Sequence, residues 1–278
     1  MKLLQKVLCV LLVFLCIHVG ANATDRPSKT VLVAVDLSES TIEHRKDYLK
    51  YFRVILDTMG EGDKLLVVTI AERPSVGETL AMEAMEYGTT SMTTNSRKVK
   101  DANLLGSITA VEKFEKLLTH DVKETPIIDV VQSIQRLLDL HKSERQVIVF
   151  MSDMMEYSKS TANFENSKPS FNQKSAEDAF SKIKREGRVA NLKNVIVYVA
   201  GARELKKDKD NAVVAGARLA AVKWFWTSYF KESGAILAPN AYAPDLLKFD
   251  EIECNQTGKC SKGIFVLERD KLIRMPGK

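Results

Sequence analysis

Short continuous apolar runs alternate along this chain with longer stretches of helical spacing. Val31–Val35 leads without a break into Asp36, Lys64–Ile70 forms a second run, Gln146–Ser152 a third that ends at Asp153, and Asn194–Ala200 a fourth. Runs of this length suit strands buried on both faces of a parallel sheet. Between them, His44–Met59 carries Tyr48, Phe52, Ile55 and Leu56 at helical spacing and stops at Gly60 and Gly62. Further helices are predicted over Ile108–Leu118, over the stretch that Pro126 opens (Ile127 to Leu138), and over Ser175–Arg188. The strongest covers Ala212–Ser233, where Ala215, Leu219, Val222, Trp226, Tyr229 and Phe230 mark one face and Lys223, Thr227 and Lys231 the other. Its aromatic cluster reads as core packed on the sheet rather than as a ligand box. Ile236-Leu237 suggests a short last strand, and beyond Pro239 the character changes: Ile264–Glu268 and Leu272–Met275 flank Arg269-Asp270-Lys271 as a hairpin would. Gly88–Ser96 and Ser158–Lys174 are polar, aperiodic and predicted to be loops. Strand, helix and strand in alternation imply parallel crossovers and an α/β fold.

The first residues change the accounting. Lys2 and Lys6 precede an apolar stretch, Val7–Ile17, and Ala21-Asn22-Ala23 forms a cleavage pattern, so residues 1–23 read as a signal peptide. The apolar stretch is too short for an ordinary transmembrane helix, although an uncleaved anchor is the alternative. Leu15 stands before Cys16 where a lipoprotein would have a small residue. The mature chain is expected to begin at Thr24, to be exported to a periplasm or secreted, and to have no membrane span. Losing two lysines takes the formal charge from +5 to +3, too mild a surplus to argue for nucleic acid. About 255 residues remain, enough for one generous core and a small appendage. The divisions expected are a main domain over 24–240 and an appendage over 241–278.

Three places carry oxygen-rich chemistry. Asp36, Ser38 and Ser40 follow the first strand at alternate positions, Thr125 precedes the Pro126 helix, and Asp153 ends the third strand. The carboxyl ends of parallel strands are where open α/β sheets place their ligands. Carboxylates and hydroxyls together suit a hard cation such as Mg²⁺. Each piece alone has a plainer reading, since Ser after a strand and Thr before a helix are ordinary helix caps.

Taken in order, DLSES, ETPIID and VIVFMSD resemble the metal-ion-dependent adhesion site (MIDAS) of von Willebrand factor type A (VWA) domains. The resemblance spans Lys29 to Pro239. It implies a doubly wound, mostly parallel, Rossmann-like sheet with helices on both faces, to which the hairpin is appended. It also implies that Ser38, Ser40 and Thr125 approach Mg²⁺, or Mn²⁺, through hydroxyls, with Asp36 and Asp153 close by. The chain departs from that pattern at Glu39, where Gly is frequent, and at Met154, where Gly often follows the last Asp. The function implied is an exported adhesion or assembly module whose protein partner supplies an Asp or Glu to the metal. The rim of such a site would include the loops Ser158–Lys174 and Gly201–Asn211.

Two other classes stay open. A haloacid-dehalogenase-type phosphatase or phosphotransferase would use Asp36 as nucleophile after a buried strand, but Ser38 stands where that family has its second Asp. A G-x-S-x-G elbow and a glycine-rich phosphate loop are absent, and His44, His120 and His141 have no evident catalytic partner. The remaining option is a scaffold with a vestigial metal site.

Cys9 and Cys16 leave with the leader, so Cys254 and Cys260 are the pair of the mature chain, separated by Asn255-Gln256-Thr257-Gly258-Lys259. In an oxidising compartment such a pair reads as a disulfide closing a small loop, against two free thiols. The short loop makes its contribution modest and local. Protein isolated without reductant and then denatured is expected to show no reactive thiol; two labelled cysteines would contradict the pairing.

Overall fold

The structure is a computed structural model, and it describes residues 28–60, 63–71, 80–86, 96–158, 163–164, 171–203, 212–246, 249, 265–268 and 271–274. Residues 1–23, expected to be a signal peptide, and Cys254 and Cys260, expected to pair, lie outside the described residues.

In chain order the strand β1 (Lys29–Asp36) is followed by a 3₁₀ turn (Glu39–His44), helix α1 (Arg45–Asp57), β2 (Lys64–Ile70) and β3 (Leu80–Glu86). Then come α2 (Ser96–Leu117), α3 (Ile127–Leu140), β4 (Arg145–Met151), α4 (Gln173–Arg185), β5 (Ile196–Ala200), α5 (Ala212–Glu232) and β6 (Ile236–Ala243). The first six strands form one sheet in the order β3-β2-β1-β4-β5-β6, and β7 (Phe265–Glu268) pairs antiparallel with β8 (Lys271–Arg274) as the predicted hairpin. Every neighbour in the large sheet is parallel except the β2–β3 pair. This is the doubly wound arrangement, with β1 and β4 adjacent where the strand order turns back.

Alternation within each strand feeds two cores. Leu32, Ala34, Leu66, Val68, Ile148 and Phe150 pack on one face beneath α3, α4 and α5. Val31, Val33, Val35, Leu65, Val67, Val147 and Val149 pack on the other beneath α1 and α2, where Phe52 and Phe114 stack at 4.0 Å. Burial on both faces is why these strands read as unbroken apolar runs. The apolar face of α5 is seated as expected: Val222, Trp226, Tyr229 and Phe230 are buried, and Lys223, Thr227 and Lys231 are exposed.

One strand lies where the sequence reading assigned nothing, and two features differ from it. β3 has the sequence LAMEAME, made of good helix formers, and pairing along the edge of β2 overrides that preference. α2 begins at Ser96 rather than Ile108, because its first turns are polar and lack an apolar period. β6 continues through Pro239 to Ala243, and Leu246 and Phe249 are buried beyond it. Proline is tolerated there because β6 is an edge strand.

The amino end of the sheet is tied by a buried ion pair. Asp63 accepts from the Lys29 backbone N–H (2.9 Å) and the Gly60 N–H (2.9 Å), with the Lys29 ammonium 4.0 Å away. That ammonium donates to the Thr58 carbonyl and hydroxyl at 2.9 and 3.0 Å. Removing one partner of a buried pair strands the other, at a cost of about 3–5 kcal/mol. Asp63→Ala is therefore expected to lower the urea midpoint by a corresponding amount; a change within error would show that Thr58 alone satisfies Lys29.

Candidate metal centre

The carboxyl ends of β1 and β4 meet because the two strands are paired in register up to Val35 and Met151. Asp36 follows directly and is wholly buried. Its Oδ1 accepts from the Ser38 N–H (2.9 Å) and its Oδ2 from the Ser152 hydroxyl (2.7 Å). Burial raises the Asp36 pKa above the ordinary carboxylate value, while Ser152 and Ser38 oppose the shift, and the Arg45 charge adds a smaller opposing effect. A carboxylate so desolvated gains from any cation brought to it.

Ser38 stands at the N-cap position of the 3₁₀ turn without capping it. Its Oγ lies 3.0 Å from the Ser40 Oγ, so the two hydroxyls converge. Ser38 is nearly buried, whereas Ser40 and Glu39 are exposed. Thr41 fixes the turn by donating its hydroxyl to the carbonyls of Asp36 (3.0 Å) and Ser38 (2.9 Å). Arg45 reaches back from α1 to the carbonyls of Leu37 (2.5 Å) and Ser38 (3.1 Å). Its other nitrogen takes Leu118 and His120 at 3.1 and 2.8 Å and pairs with Asp121 at 2.8 Å.

That guanidinium docks the segment carrying Thr125. Val122 bridges Ser38 and donates its N–H to the Leu37 carbonyl (3.1 Å). Three residues on, Thr125 bridges Tyr157, exchanging backbone hydrogen bonds of 2.9 and 3.1 Å. Thr125 is thus strung between the turn after β1 and the loop after β4. It is buried, and it does not cap α3: Pro126 holds the N-cap position and no side chain caps from there. The capping explanations for Ser38 and Thr125 are both set aside by this geometry.

The loop after β4 is held at every residue. Ser152 relays Asp36 to the Met154 N–H (2.8 Å), Asp153 accepts from the Met155 N–H (2.9 Å), and the Trp226 indole donates to the Met154 carbonyl (2.8 Å). Met154 has φ of 63°, which explains why glycine suits this position. Left-handed backbone costs a non-glycine residue about 1–2 kcal/mol. Burying the Met154 side chain returns about 1.5–3 kcal/mol, so packing outweighs strain.

Several residues of the site escaped the sequence reading: Arg45, Ser152, Glu156 and the tyrosines Tyr48 and Tyr242. Glu156 is wholly buried and accepts from the Ile128 N–H (3.1 Å) and the Ser158 hydroxyl (3.0 Å). It caps α3 from a distance of 28 residues, which no local capping pattern reveals. Of the predicted rim loops, 159–162, 165–170 and 204–211 lie outside the described residues. His44 contacts the Arg203 guanidinium through Nδ1 at 3.1 Å.

The donors expected from the sequence are all oxygen, the Asp36 and Asp153 carboxylates with the hydroxyls of Ser38, Ser40 and Thr125, and the structure joins Asp36, Ser38 and Ser40 through hydrogen bonds. Among the described residues no group of three or more His, Cys, Asp or Glu is placed to hold a metal. A cation here would depend on two carboxylates plus hydroxyls and water, which suits Mg²⁺ and Mn²⁺ rather than a soft metal.

No protein-family model matches the chain, and no curated protein is similar to it. Among solved structures, the PilB minor pilin from Streptococcus sanguinis aligns at 11% identity and TM-score 0.41, over 77% of this chain and 56% of that one. A von Willebrand factor type A protein from Catenulispora acidiphila aligns at 14% identity and TM-score 0.33, over 74% and 43%. The manganese-loaded TRAP protein of Plasmodium vivax aligns at 13% identity and TM-score 0.31, over 68% and 63%. The chain thus spans a little over half the length of the pilin and less than half of the Catenulispora chain. The fold is VWA-like. What carries that assignment is the sheet order and the helices on both faces. Among the described residues no helix is long and apolar enough to cross a membrane.

Glu156 supplies a pH test of this loop. Desolvation raises its pKa from 4.5 to about 8, against the opposing hydrogen bonds from Ile128 and Ser158. The folded state therefore favours the protonated acid. Its contribution is fully present below pH 4.5 and is lost as the pH rises through about 8, with a slope of at most about 1.4 kcal/mol per pH unit. Glu156→Gln keeps an acceptor for Ile128 without a titrating proton. The wild-type urea midpoint should fall relative to that of Glu156→Gln between pH 5 and 8; parallel profiles would refute the assignment.

Proposed function

We propose that this domain is an exported, metal-dependent protein-binding module of the adhesion or assembly kind. Asp36, Ser38, Ser40, Thr125 and Asp153 hold one Mg²⁺ or Mn²⁺, and an Asp or Glu of a partner protein completes its oxygen shell. The observation that carries this reading is Asp36: a wholly buried carboxylate at the sheet's carboxyl rim, satisfied only by neutral donors, beside two converging serine hydroxyls. The nearby guanidinium of Arg45 is engaged by four backbone carbonyls and Asp121.

The cation supplies positive charge that offsets the desolvation of Asp36 and a Lewis-acidic position open to an outside oxygen. Hydroxyl ligands are neutral, so two carboxylates leave the cation receptive to one more anion. Mg²⁺ sites commonly combine few protein carboxylates with exchangeable ligands. The fixed loops do the rest: Thr41, Arg45 and Trp226 hold the ligand-bearing backbone in place before any cation arrives. Preformed geometry of this sort lowers the ordering cost of binding.

Binding to the folded state alone stabilises it by RT ln(1 + [L]/Kd), about 2.7 kcal/mol at a hundredfold excess over Kd. Millimolar Mg²⁺ or Mn²⁺ is expected to raise the melting temperature, and Asp36→Asn, which keeps the shape of the side chain, should abolish the increment. Partner proteins captured from the extracellular or periplasmic fraction should be released by EDTA and be absent with Asp36→Asn. An unchanged wild-type melt, or partners retained through both treatments, would refute the proposal.

A further inference from the structure

Three buried tyrosines and the half-buried Tyr242 divide into two kinds. Tyr51 donates to Asp245 (2.6 Å) and the Pro244 carbonyl (3.1 Å), and Tyr229 donates to the Arg188 carbonyl (3.2 Å) while accepting from the Ala190 N–H (3.1 Å). The hydroxyls of Tyr48 and Tyr242 are buried with no hydrogen-bond partner. A buried phenol ordinarily finds one, because an orphaned O–H forfeits its hydration for nothing.

Both orphans lie beside the end of β5: Tyr242 pairs opposite Val199, and the Ala243 carbonyl after it accepts from the Gly201 N–H (3.1 Å). The charges of Asp36 and Asp153 both act on the Tyr48 hydroxyl, and that of Asp153 acts on Tyr242. Tyr48 comes from α1 on one face of the sheet, and Tyr242 packs against the core on the other. Gly201, at the end of β5, makes room for the first of them. A Cβ there would stand 3.0 Å from the Tyr48 oxygen and 3.1 Å from the Ser152 carbonyl, so the phenol lies against the segment that carries Asp153. Gly201 has φ of 107°, a backbone state that also favours glycine.

We propose that Tyr48 and Tyr242 are outer-shell residues of the cation site, their hydroxyls bonding to the water and carboxylate oxygens around the bound ion. The inference rests on the metal reading above and adds two residues to it. A phenol hydroxyl can accept from a cation-bound water and donate to a carboxylate at once, which is what the surroundings of a partly hydrated Mg²⁺ require. Such partners orient the ligands, and their loss typically weakens metal binding 10–100-fold. They are positioning residues, not ligands.

The sign of the stability change separates this role from plain packing. Tyr48→Phe and Tyr242→Phe each delete an orphaned hydroxyl, so in EDTA each variant is expected to melt at or above the wild-type temperature. With Mn²⁺ titrated into the full chain, each should bind about tenfold or more weakly. In protein labelled with ¹³C at tyrosine Cζ, the Tyr48 and Tyr242 signals, assigned among the seven tyrosines by their loss in the variants, should move when Mg²⁺ is added. If the wild type binds Mn²⁺ while both variants bind it equally well and neither signal moves, the tyrosine assignment is wrong and the metal reading stands. If the wild type binds no Mn²⁺, both fall. Variants that melt lower in EDTA with unchanged Kd would assign the two tyrosines to packing alone.

Discussion

Everything at the carboxyl rim follows from burying Asp36 at the end of the central strand. β1 has parallel neighbours on both sides and helices above and below, so its last residue cannot reach bulk water. An isolated buried carboxylate is costly, and the chain answers with neutral donors, Ser38 N–H and Ser152 O–H. Those two bonds tie the turn after β1 to the loop after β4. Ser152 then fixes Met154, and Trp226 holds the Met154 carbonyl from the far side of the core. Satisfying one carboxylate thereby sets the backbone of the whole site.

The second organising element is Arg45, which belongs to α1 yet acts on loops. Five hydrogen bonds or ion pairs from one guanidinium join Leu37 and Ser38 to Leu118, His120 and Asp121. The planar fork suits this task, since its donors diverge in fixed directions toward separate carbonyls. Thr125 depends on it indirectly: the segment that Arg45 docks continues through Val122 to the Thr125–Tyr157 bridge. A lysine at position 45 could keep the charge but not these several directions.

The strands and the rim were legible in the sequence because burial on both faces writes continuous apolar runs and because Asp36 and Asp153 end two of them. Trp226 was legible as core, though not its bond to Met154, since a hydrogen bond across 72 residues leaves no local pattern. Glu156 was hidden for the same reason: its partner in α3 is set by topology. β3 went unassigned because Leu80–Glu86 has helix-forming composition, and only pairing with β2 makes it a strand. Tyr48 was visible as an apolar position on α1. Its hydroxyl acquires meaning only when Gly201 and Ser152 are brought beside it from β5 and β4.

The two ends of the sheet handle buried charge in opposite ways, and the contrast bears on what the rim is for. At the amino end, Lys29 and Asp63 form a pair of opposite charges, completed by Thr58 and Gly60. That arrangement is closed: it has no use for an outside ion. At the carboxyl end, Asp36 ends β1 while Asp153 and Glu156 lie in the loop after β4, and the guanidiniums of Arg45 and Arg203 are committed elsewhere. Arg45 is spent on carbonyls and Asp121, and Arg203 on Asp245, Asp47 and the Pro244 carbonyl. Burial pushes the Glu156 pKa up to about 8, which favours its neutral form. Asp36 has the Ser152 hydroxyl and the Ser38 N–H on it instead of a base. Among the described residues Asp36 meets hydroxyl and amide donors where Asp63 meets an ammonium, and the cation we propose would supply at this rim the charge that Lys29 supplies at the other.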